Sequence, residues 1–321
     1  MKATAKAPAN IAFIKYWGKL NEKLRLPANS SISMNLSGAF TITSVEFNET
    51  LKDDEFTLNG IVAGQEETER VSKHLDRIRD LAKIKSQARV ISDNNFPKSS
   101  GIASSASGFA ALTLAATKAA GLDLSEKDIS ILARLGSGSA CRSVPDGFVE
   151  WKAGRTNDSS YAYSLFKPNY WDICDLIAVV GENSKKVSST EGHARAESSP
   201  FYQSRILGMD KKISEIKRAF REKDFTKFGE ILEAEAINMH AVMMTSTPPL
   251  YYWKPETLDI INKVNELREK GVECYFTIDA GPNVHVICES KNRRKISRLL
   301  NGISGVKEVL SNKPAEGARL L

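Results

Sequence analysis

The chain has 321 residues, of which 41% are hydrophobic and 26% charged, and its formal net charge is +6. This length and apolar content can bury a substantial core and allow two domains of ordinary size. The basic residues are interspersed with 39 acidic ones, so we expect no nucleic-acid interface, although a modest positive field would attract anionic small molecules. Four scattered cysteines without a C-x-x-C pair indicate neither a disulfide framework nor a zinc site.

Targeting and membrane signals are missing from the sequence pattern. No apolar run approaches the roughly 20 residues that span a bilayer. The stretch MKATAKAPANIAFIKYWGK lacks the long apolar core and cleavage site of a secretory signal. We therefore expect a cytoplasmic protein with no membrane partner.

Hydrophobic periodicity in the first half predicts a mixture of strands and helices. We expect strands at residues 40–47 and 87–91, and helices at residues 69–83, 106–120 and 125–135. Gly121 should end the alanine-rich second helix as a C-terminal cap. Ser125 should cap the third helix, because the acidic Asp128 follows three positions later.

Helical patterns dominate the second half. The apolar run at residues 169–181 predicts a strand near a domain junction, and helices are expected at residues 200–218, 225–239 and 255–270. Gly271 should close the last helix, and two strands joined by a turn at residues 280–283 should follow. Strands and helices mixed in both halves indicate an α+β fold.

A serine-rich loop, NNFPKSSGIASSASGFAAL at residues 94–112, precedes a predicted helix. Gly101 permits backbone conformations that other residues avoid, and its small neighbours let a ligand approach the main chain. Unpaired N–H groups at the helix start and the serine hydroxyls would bind phosphate and Mg²⁺. Alternatively, Ser104 or Ser105 only caps the helix. The loop is not a G-x-x-x-x-G-K-[ST] sequence, so we expect no P-loop NTPase.

A second small-residue segment, GSGSACRS at residues 136–143, follows another predicted helix. Ser137 and Ser139 offer hydroxyls, and Arg142 offers a planar fork suited to carboxylate or phosphate. An ordinary helix C-cap with an exposed arginine would have the same sequence. The segment in isolation therefore leaves both interpretations open.

Two charged residues stand at positions suited to catalysis. Strand alternation places Asp279 at the end of a strand beside a Gly-Pro turn, where a carboxylate can act as a general base or orient an alcohol. An aspartate that accepts from turn amides would occupy the same position. Lys15, within the apolar stretch IAFIKYW, is either a core-strand lysine whose head reaches solvent or a cation held in a cleft.

Together these segments resemble a known family. The signature segments of diphosphomevalonate decarboxylases, a family of the GHMP kinase superfamily, are similar to five stretches of this chain: APANIAFIKYWGK at residues 7–19, LPANSSISMNL at 26–36, the serine-rich loop, GSGSACRS with GFVEW at 147–151, and YFTIDAGPN at 275–283. The stretches occur in family order and span nearly the whole chain.

The resemblance implies a GHMP kinase fold. The N-terminal domain, residues 1–180, would be like domain 2 of ribosomal protein S5, and the C-terminal domain, residues 181–321, would be ferredoxin-like, with the active site between them. A homodimer is also expected.

The resemblance also implies a reaction. ATP, with Mg²⁺, would phosphorylate the tertiary 3-hydroxyl of mevalonate 5-diphosphate, and loss of that phosphate with CO₂ would leave isopentenyl diphosphate. Hydroxide is a poor leaving group, so its conversion to phosphate allows C–O cleavage to drive decarboxylation, and positive groups stabilise the departing anion.

Position by position, the resemblance assigns roles to named residues. Asp279 would orient or deprotonate the 3-hydroxyl, while Lys15 would lower the pKa of Asp279 and stabilise the transferred phosphoryl group. Arg142 and Asn10 would contact the substrate carboxylate. The residues implied to hold the 5-phosphate chain are Tyr16, Lys19, Ser137, Ser139 and Ser199. Those implied to bind ATP are Lys98, Ser100, Gly101, Ser104, Ser105 and Ser107, with Ser105 also a ligand of Mg²⁺.

Several positions depart from the family pattern near the expected substrate-binding segments. Leu20 stands where a basic residue is frequent, and His193 stands where methionine is common. Pro145 and Asp146 replace part of an aromatic-Gly-Gly sequence, and Pro200 stands where some bacterial relatives have an arginine. These departures bear on the length of the substrate more than on the type of reaction.

Three alternative functions follow. A phosphomevalonate decarboxylase would act on mevalonate 5-phosphate and form isopentenyl phosphate. A mevalonate 3-kinase would phosphorylate without decarboxylating, but the presence of both Lys15 and Asp279 argues against it, because the resemblance associates their loss with kinase-only relatives. A non-catalytic nucleotide-binding module is disfavoured by the intact loop, lysine and aspartate.

Overall fold

A computed structural model describes residues 1–96, 104–180 and 187–321 of the chain. The strands, in chain order, are β1 (Lys2–Ile14), β2 (Lys19–Asn21), β3 (Leu26–Pro27), β4 (Ser31–Asn48), β5 (Glu55–Leu58), β6 (Ile61–Val62), β7 (Gln87–Asn94), β8 (Phe148–Trp151), β9 (Ala162–Phe166), β10 (Ile173–Val180), β11 (Tyr275–Thr277), β12 (Val284–Glu289), β13 (Val306–Asn312) and β14 (Arg319–Leu320). The helices are α1 (Gln65–Ala82), α2 (Ser104–Ala119), α3 (Glu126–Gly136), α4 (Ser189–Arg195), α5 (Tyr202–Leu207), α6 (Met209–Glu222), α7 (Phe225–Met244), α8 (Pro255–Glu269) and α9 (Arg293–Asn301).

The first sheet is built around two long antiparallel strands, β1 and β4. Its strand order is β14-β1-β4-β7-β5-β6, and β8 extends it by pairing with β4 and with β9. The pairing of β1 with β4 runs from Lys2 opposite Glu46 to Ile14 opposite Ile32. Helices α1, α2 and α3 bury their apolar faces against this sheet in one core, where the alanines of α2 allow close approach.

The second sheet has the order β11-β12-β10-β13, and all its pairs are antiparallel. Its central strand β10 is buried at every position, because both faces of the sheet are covered. One face packs in a core with α8 and α9, and the other contributes Ile177 and Ile287 to a core shared with α6 and α7. The sheet therefore lies between two helical layers.

An aromatic cluster joins the two sheets. Phe13 of β1 packs with Phe228 of α7 at a ring-centroid distance of 5.0 Å, and Phe228 packs with Phe220 of α6 at 5.0 Å. Phe148 of β8 lies 5.1 Å from Phe220. Each such pair adds roughly 0.5–1.5 kcal/mol beyond area burial. The cluster fixes the end of β1 relative to the helices of the second half, which positions the residues that follow β1.

Most of the predicted elements are confirmed, including the α+β character of both halves. Ser125 caps α3 by accepting from the Asp128 amide at 3.2 Å, and Gly121 and Gly271 follow their helices with φ of +78° and +74°. The expected single helix at residues 200–218 is wrong in detail, because two helices, α5 and α6, meet at Gly208. Strand β1 was not predicted.

The two sheets are not built from two consecutive segments of the sequence. Strand β10 lies in the second sheet although the expected N-terminal domain extends to residue 180, and β14, near the C-terminus, pairs with β1 in the first sheet. The division into residues 1–180 and 181–321 stays a prediction.

Candidate active site

Lys15 and Asp279 meet at the junction of the two halves. Lys15 directly follows β1, and Asp279 lies two residues beyond the end of β11. The Lys15 Nζ lies 2.6 Å from the Asp279 Oδ1, with the Lys15 side chain 1% exposed and that of Asp279 37% exposed. The carboxylate thus keeps one side open to a cavity while the ammonium is withdrawn from water. Of the two interpretations left open for Lys15, the structure supports the cation held in a cleft.

Opposing effects set the charge of this pair. Burial raises the pKa of the Asp279 carboxyl, but the charge of Lys15, the hydrogen bond from Lys15 and the charge of Arg142 leave the pKa below its usual value. Burial lowers the pKa of Lys15, although the charge and hydrogen bond of Asp279 oppose that change. Asp279 is consequently ionised at neutral pH and can accept a proton or a hydrogen bond from an alcohol.

The guanidinium of Arg142 is oriented by Asn10 and Ser31. Its Nε and Nη2 donate to the Asn10 Oδ1 at 3.2 and 3.0 Å, and its Nη1 donates to the Ser31 Oγ at 3.0 Å. Asn10 in turn donates to the Ser143 Oγ at 2.8 Å and to the Ser139 carbonyl at 3.2 Å. Three of the five N–H groups of an arginine are used in this way, so two have no partner among the described residues and remain for an anion. Asn10 acts here by orienting Arg142.

A main cavity of about 220 Å³ connects these groups with the Gly-Ser segment at residues 136–143. The predicted residues that line it are Asn10, Lys15, Tyr16, Lys19, Ser105, Ser137, Ser139, Arg142 and Asp279. The Tyr16 hydroxyl is buried without a hydrogen-bond partner among the described residues, and burial raises the pKa of this phenol. A neutral, unpaired phenol is a ready donor to a phosphate oxygen.

The Lys19 side chain is almost fully covered. It is 3% exposed, and its Nζ pairs with the Glu22 Oε2 at 2.6 Å, within the hairpin of β2 and β3. Glu22 is 63% exposed in its side chain, so it can turn away into solvent when an anion takes its place. Lys19 is therefore a cation available to a ligand at this end of the cavity.

His193, on α4, also lines the main cavity. Its ring packs 4.1 Å from the Tyr16 ring and 4.5 Å from the Trp17 ring, and its Nδ1 accepts from the Gly18 amide at 3.0 Å. Burial and the nearby charges of Lys19 and Arg25 hold its pKa well below the usual value. The neutral ring must then carry its proton on Nε2, which makes that nitrogen a donor.

The start of α2 separates the main cavity from a second one. Ser105 lines both, and the Ser137 Oγ donates to the Ser105 Oγ at 3.2 Å. The second cavity, of about 150 Å³, has mainly apolar walls that include Phe56, Val90 and Phe109. Amide groups at the start of a helix favour anions, so this position suits a phosphate group whose apolar attachment enters the second cavity.

Two predicted residues do not reach either cavity. Ser107 is fully buried and shares a hydrogen bond of 2.6 Å with Thr41, because it lies on the face of α2 that packs on the first sheet. Ser199 pairs with Thr245 at 2.7 Å and accepts from the Phe201 amide, so its hydroxyl is used at the start of α5. The predicted Lys98, Ser100 and Gly101 lie outside the described residues, and Ser104 lines the second cavity.

Several residues of the site were not assigned a role from the sequence. Arg25 and Arg70 line the main cavity, with Ser188 and Ser189 before and at the start of α4. Arg25 follows β2 in a turn, and Arg70 lies mid-helix on α1, where an arginine is usually part of a solvated face. Only the folded arrangement brings them to the cavity.

Family models match both halves of the chain. A model described as diphosphomevalonate decarboxylase-like N-terminal domain matches residues 7–162, and one described as mevalonate 5-diphosphate decarboxylase C-terminal domain matches residues 175–317. A diphosphomevalonate decarboxylase of Debaryomyces hansenii is 38% identical over 315 residues, covering 92% of this chain and 81% of that protein. A phosphomevalonate decarboxylase of Haloferax volcanii is 31% identical over 326 residues, covering 98% of this chain and 99% of that protein.

Solved structures are similar over the full length. Mevalonate diphosphate decarboxylase from Staphylococcus aureus matches with a TM-score of 0.95 and 41% identity, covering 100% of this chain and 98% of that one. MDDEF in complex with MVAPP, AMPPCP and magnesium matches with a TM-score of 0.95 and 40% identity, covering 100% and 99%. The predicted GHMP kinase fold is confirmed by these matches. Since both family models together span most of the chain, it belongs to the diphosphomevalonate decarboxylase family.

Proposed function

We propose that this enzyme converts mevalonate 5-diphosphate and ATP to isopentenyl diphosphate, CO₂, ADP and phosphate at the main cavity. The observation that carries the assignment is the convergence of Lys15, Asp279 and Arg142 on one cavity beside the start of α2. The Asp279 carboxylate accepts the proton of the 3-hydroxyl or aligns it for phosphorylation. The ammonium of Lys15 stabilises charge that develops on the transferred phosphoryl group.

The remaining polar groups orient the substrate. The two unused N–H groups of Arg142 suit the substrate carboxylate, since a guanidinium binds planar anions through paired hydrogen bonds. The 5-diphosphate lies toward Tyr16, Lys19 and the Gly-Ser segment. The Nε2–H of His193 supplies a further neutral donor there.

ATP lies with its phosphates at the start of α2 and its adenine in the second cavity, where Phe56, Val90 and Phe109 provide apolar walls. Among the described residues no three His, Cys, Asp or Glu side chains form a metal cluster. The hard oxygen donor of Ser105 nevertheless fits Mg²⁺, which proteins commonly bind together with substrate phosphates. When bound, Mg²⁺ neutralises phosphate charge, and Ser105 is the residue that would hold it.

The diphosphate is favoured over the monophosphate. Lys19, Arg25 and Arg70 all line the main cavity, and a surplus of cations matches a more highly charged tail. The relatives with the higher identities are named diphosphomevalonate decarboxylases, while the Haloferax volcanii relative, at 31%, is named for the monophosphate. Leu20 and Pro200 stand where some relatives have basic residues, but Lys19, Arg25 and Arg70 still supply positive charge to the main cavity.

The assignment is tested by the substitution Asp279→Asn. The amide keeps the shape of the side chain but removes the charge that accepts the proton, so we expect release of CO₂ and ADP from mevalonate 5-diphosphate to be nearly abolished. ATP binding, measured by fluorescence with a nucleotide analogue, should change little. Near-normal CO₂ release by the variant would remove Asp279 from the catalytic role.

We also infer from the family resemblance that the chain acts in the cytoplasm and as a homodimer. In the described part of the chain no helix has the length and apolar character that crossing a membrane requires. Sedimentation of the purified protein measures the oligomeric state directly.

A further inference from the structure

Within residues 1–96, 104–180 and 187–321, no strand pairs with the main chain of Lys15. The ladder between β1 and β4 ends with Ile14 opposite Ile32, and the chain then leaves the first sheet. A buried peptide group in this position needs other hydrogen-bond partners. The groups that hydrogen-bond to the N–H and C=O of Lys15 fix the position of its backbone. The backbone in turn fixes the point from which the Lys15 side chain extends.

Three buried side chains supply those partners. The Lys15 N–H donates to the Glu235 Oε1 at 3.2 Å. The Lys15 carbonyl accepts from the Arg205 Nη2 at 3.1 Å and from the Asn29 Nδ2 at 3.0 Å. Arg205 and Glu235 come from α5 and α7, about 190 and 220 residues away in sequence. The second half of the chain therefore fixes the backbone from which the catalytic ammonium extends.

Arg205 and Glu235 also pair with each other. The Arg205 Nη2 lies 2.6 Å from the Glu235 Oε1, and both side chains are 0% exposed. Lys212 of α6 adds a second cation, with its Nζ 2.7 Å from the Glu235 Oε2. A buried ion pair is weak evidence for a stabilising role, because desolvation offsets much of the attraction. Its contact with the Lys15 peptide suggests another role.

Glu235 also acts on the Lys15 ammonium through its charge. The titratable and charged groups that face this ammonium are Asp279 from after β11, Glu235 and His240 from α7, and Arg142 from the Gly-Ser segment. Burial lowers the pKa of Lys15, and Glu235, with Asp279, opposes that change. Glu235 contributes to keeping the ammonium protonated without touching it.

We propose that Glu235 and Arg205 are positioning residues for catalysis, which hold the Lys15 peptide between them and set the place and charge of its ammonium beside Asp279. The inference rests on the proposed function for the step that Lys15 serves. The arrangement of Glu235, Arg205 and the Lys15 peptide is hereafter called the Lys15 clamp.

The test compares Glu235→Gln with Glu150→Gln. Glu150 is a matched control, because it is also buried and also pairs with a lysine of α6, Lys217. In the described part of the chain it is not among the hydrogen-bond partners of Lys15. Glu235→Gln should lower kcat by about tenfold with a smaller change in KM, because it weakens the charge-assisted hydrogen bonds that Glu235 accepts from the Lys15 N–H and from Arg205. The alkaline limb of its pH–rate profile should move to lower pH, because loss of a nearby negative charge lowers the pKa of Lys15.

A second measurement does not depend on activity. Carbon-13 NMR of the lysine side chains, with the Lys15 signal assigned by Lys15→Met, reports the pKa of Lys15 in the enzyme without substrate. It should fall in Glu235→Gln and stay unchanged in Glu150→Gln. Absence of wild-type activity on mevalonate 5-diphosphate would contradict the proposed function, whereas an unmoved Lys15 pKa in Glu235→Gln would contradict the clamp.

Substitution of a fully buried carboxylate can prevent folding. Two substitutions of partly exposed lysines, which disturb the core less, are therefore compared as well. Lys212→Gln and Lys217→Gln remove lysines that are 25% and 26% exposed from α6. Lys212→Gln removes a positive charge beside Glu235, so the negative charge of Glu235 acts more strongly on Lys15. The pKa of Lys15 should therefore rise, opposite in sign to the effect of Glu235→Gln. Equal pKa values of Lys15 in both lysine variants would overturn the proposal.

Discussion

Arg142 illustrates how much the site depends on the geometry of single residues. Its guanidinium is oriented through three N–H groups, and two remain for the substrate carboxylate. A lysine in its place keeps the charge but cannot reproduce paired hydrogen bonds. We expect Arg142→Lys to lower kcat/KM for the mevalonate substrate by about 10- to 100-fold, as measured by CO₂ release.

Arg134 provides the control for that substitution. It is equally buried in the same half of the chain, but its guanidinium donates to the carbonyls of Leu24, Asn157 and Ser160 and does not line the main cavity. Arg134→Lys should therefore lower thermal stability while kcat/KM stays close to that of the wild type. If Arg142→Lys behaved in the same way, contact of Arg142 with the substrate would be contradicted.

Single residues were predictable where a motif surrounds them. Lys15, Asp279 and Arg142 stand in stretches that combine an unusual residue with small or apolar neighbours, and the structure brings all three to one cavity. Glu235 could not be found in this way, because a glutamate inside a helical pattern is normally solvent-exposed. The role of Ser199 stays a prediction, and its hydroxyl bonds Thr245 and the Phe201 amide, because a serine in a loop can serve the backbone as readily as a ligand.

At the scale of elements, close packing of α7 on β11 positions Asp279. A Cβ at Gly229 of α7 would lie 1.9 Å from the Tyr275 Cδ2 at the start of β11. Gly229→Ala must displace this strand, so we expect a loss of about 1–3 kcal/mol in the free energy of unfolding. Because Asp279 lies just beyond β11, kcat should fall as well, while KM for ATP should change little.

The same substitution in α2 should have the opposite effect on stability. A Cβ at Gly108 would meet no atom of the described residues within 4 Å, and Gly108 lines the second cavity. Gly108→Ala should raise the free energy of unfolding by about 1 kcal/mol through helix propensity. It should also raise KM for ATP by about tenfold, because the methyl group occupies space assigned to adenine. An unchanged KM for ATP would place the adenine elsewhere.

Elements with strong periodicity were predicted well, and those with weak periodicity were not. Helices α7 and α8 begin at Phe225 and Pro255, the residues expected from the sequence. Strand β1 was missed because its sequence KATAKAPANIAFI is rich in small residues and lysine and shows no clear alternation of polar and apolar positions. The break at Gly208 depends on how α5 and α6 pack, which no local pattern reveals.

For the whole molecule, the active site exists only when the two halves are assembled. Lys15 follows a strand of the first sheet, and Asp279 follows a strand of the second. The aromatic cluster of Phe13, Phe220 and Phe228 and the Lys15 clamp both cross this junction. Sequence could indicate the junction only through the family resemblance, since contacts about 200 residues apart leave no local pattern.

The proposed function requires the assembled cavity to phosphorylate and decarboxylate mevalonate 5-diphosphate. The most direct measurement compares CO₂ and ADP formation on mevalonate, mevalonate 5-phosphate and mevalonate 5-diphosphate. We expect equal amounts of CO₂ and ADP from the 5-diphosphate, with kcat/KM at least about tenfold above that for the 5-phosphate, because the missing terminal phosphate leaves cationic groups unpaired. ADP without CO₂, or an equal or higher kcat/KM on the 5-phosphate, would contradict it.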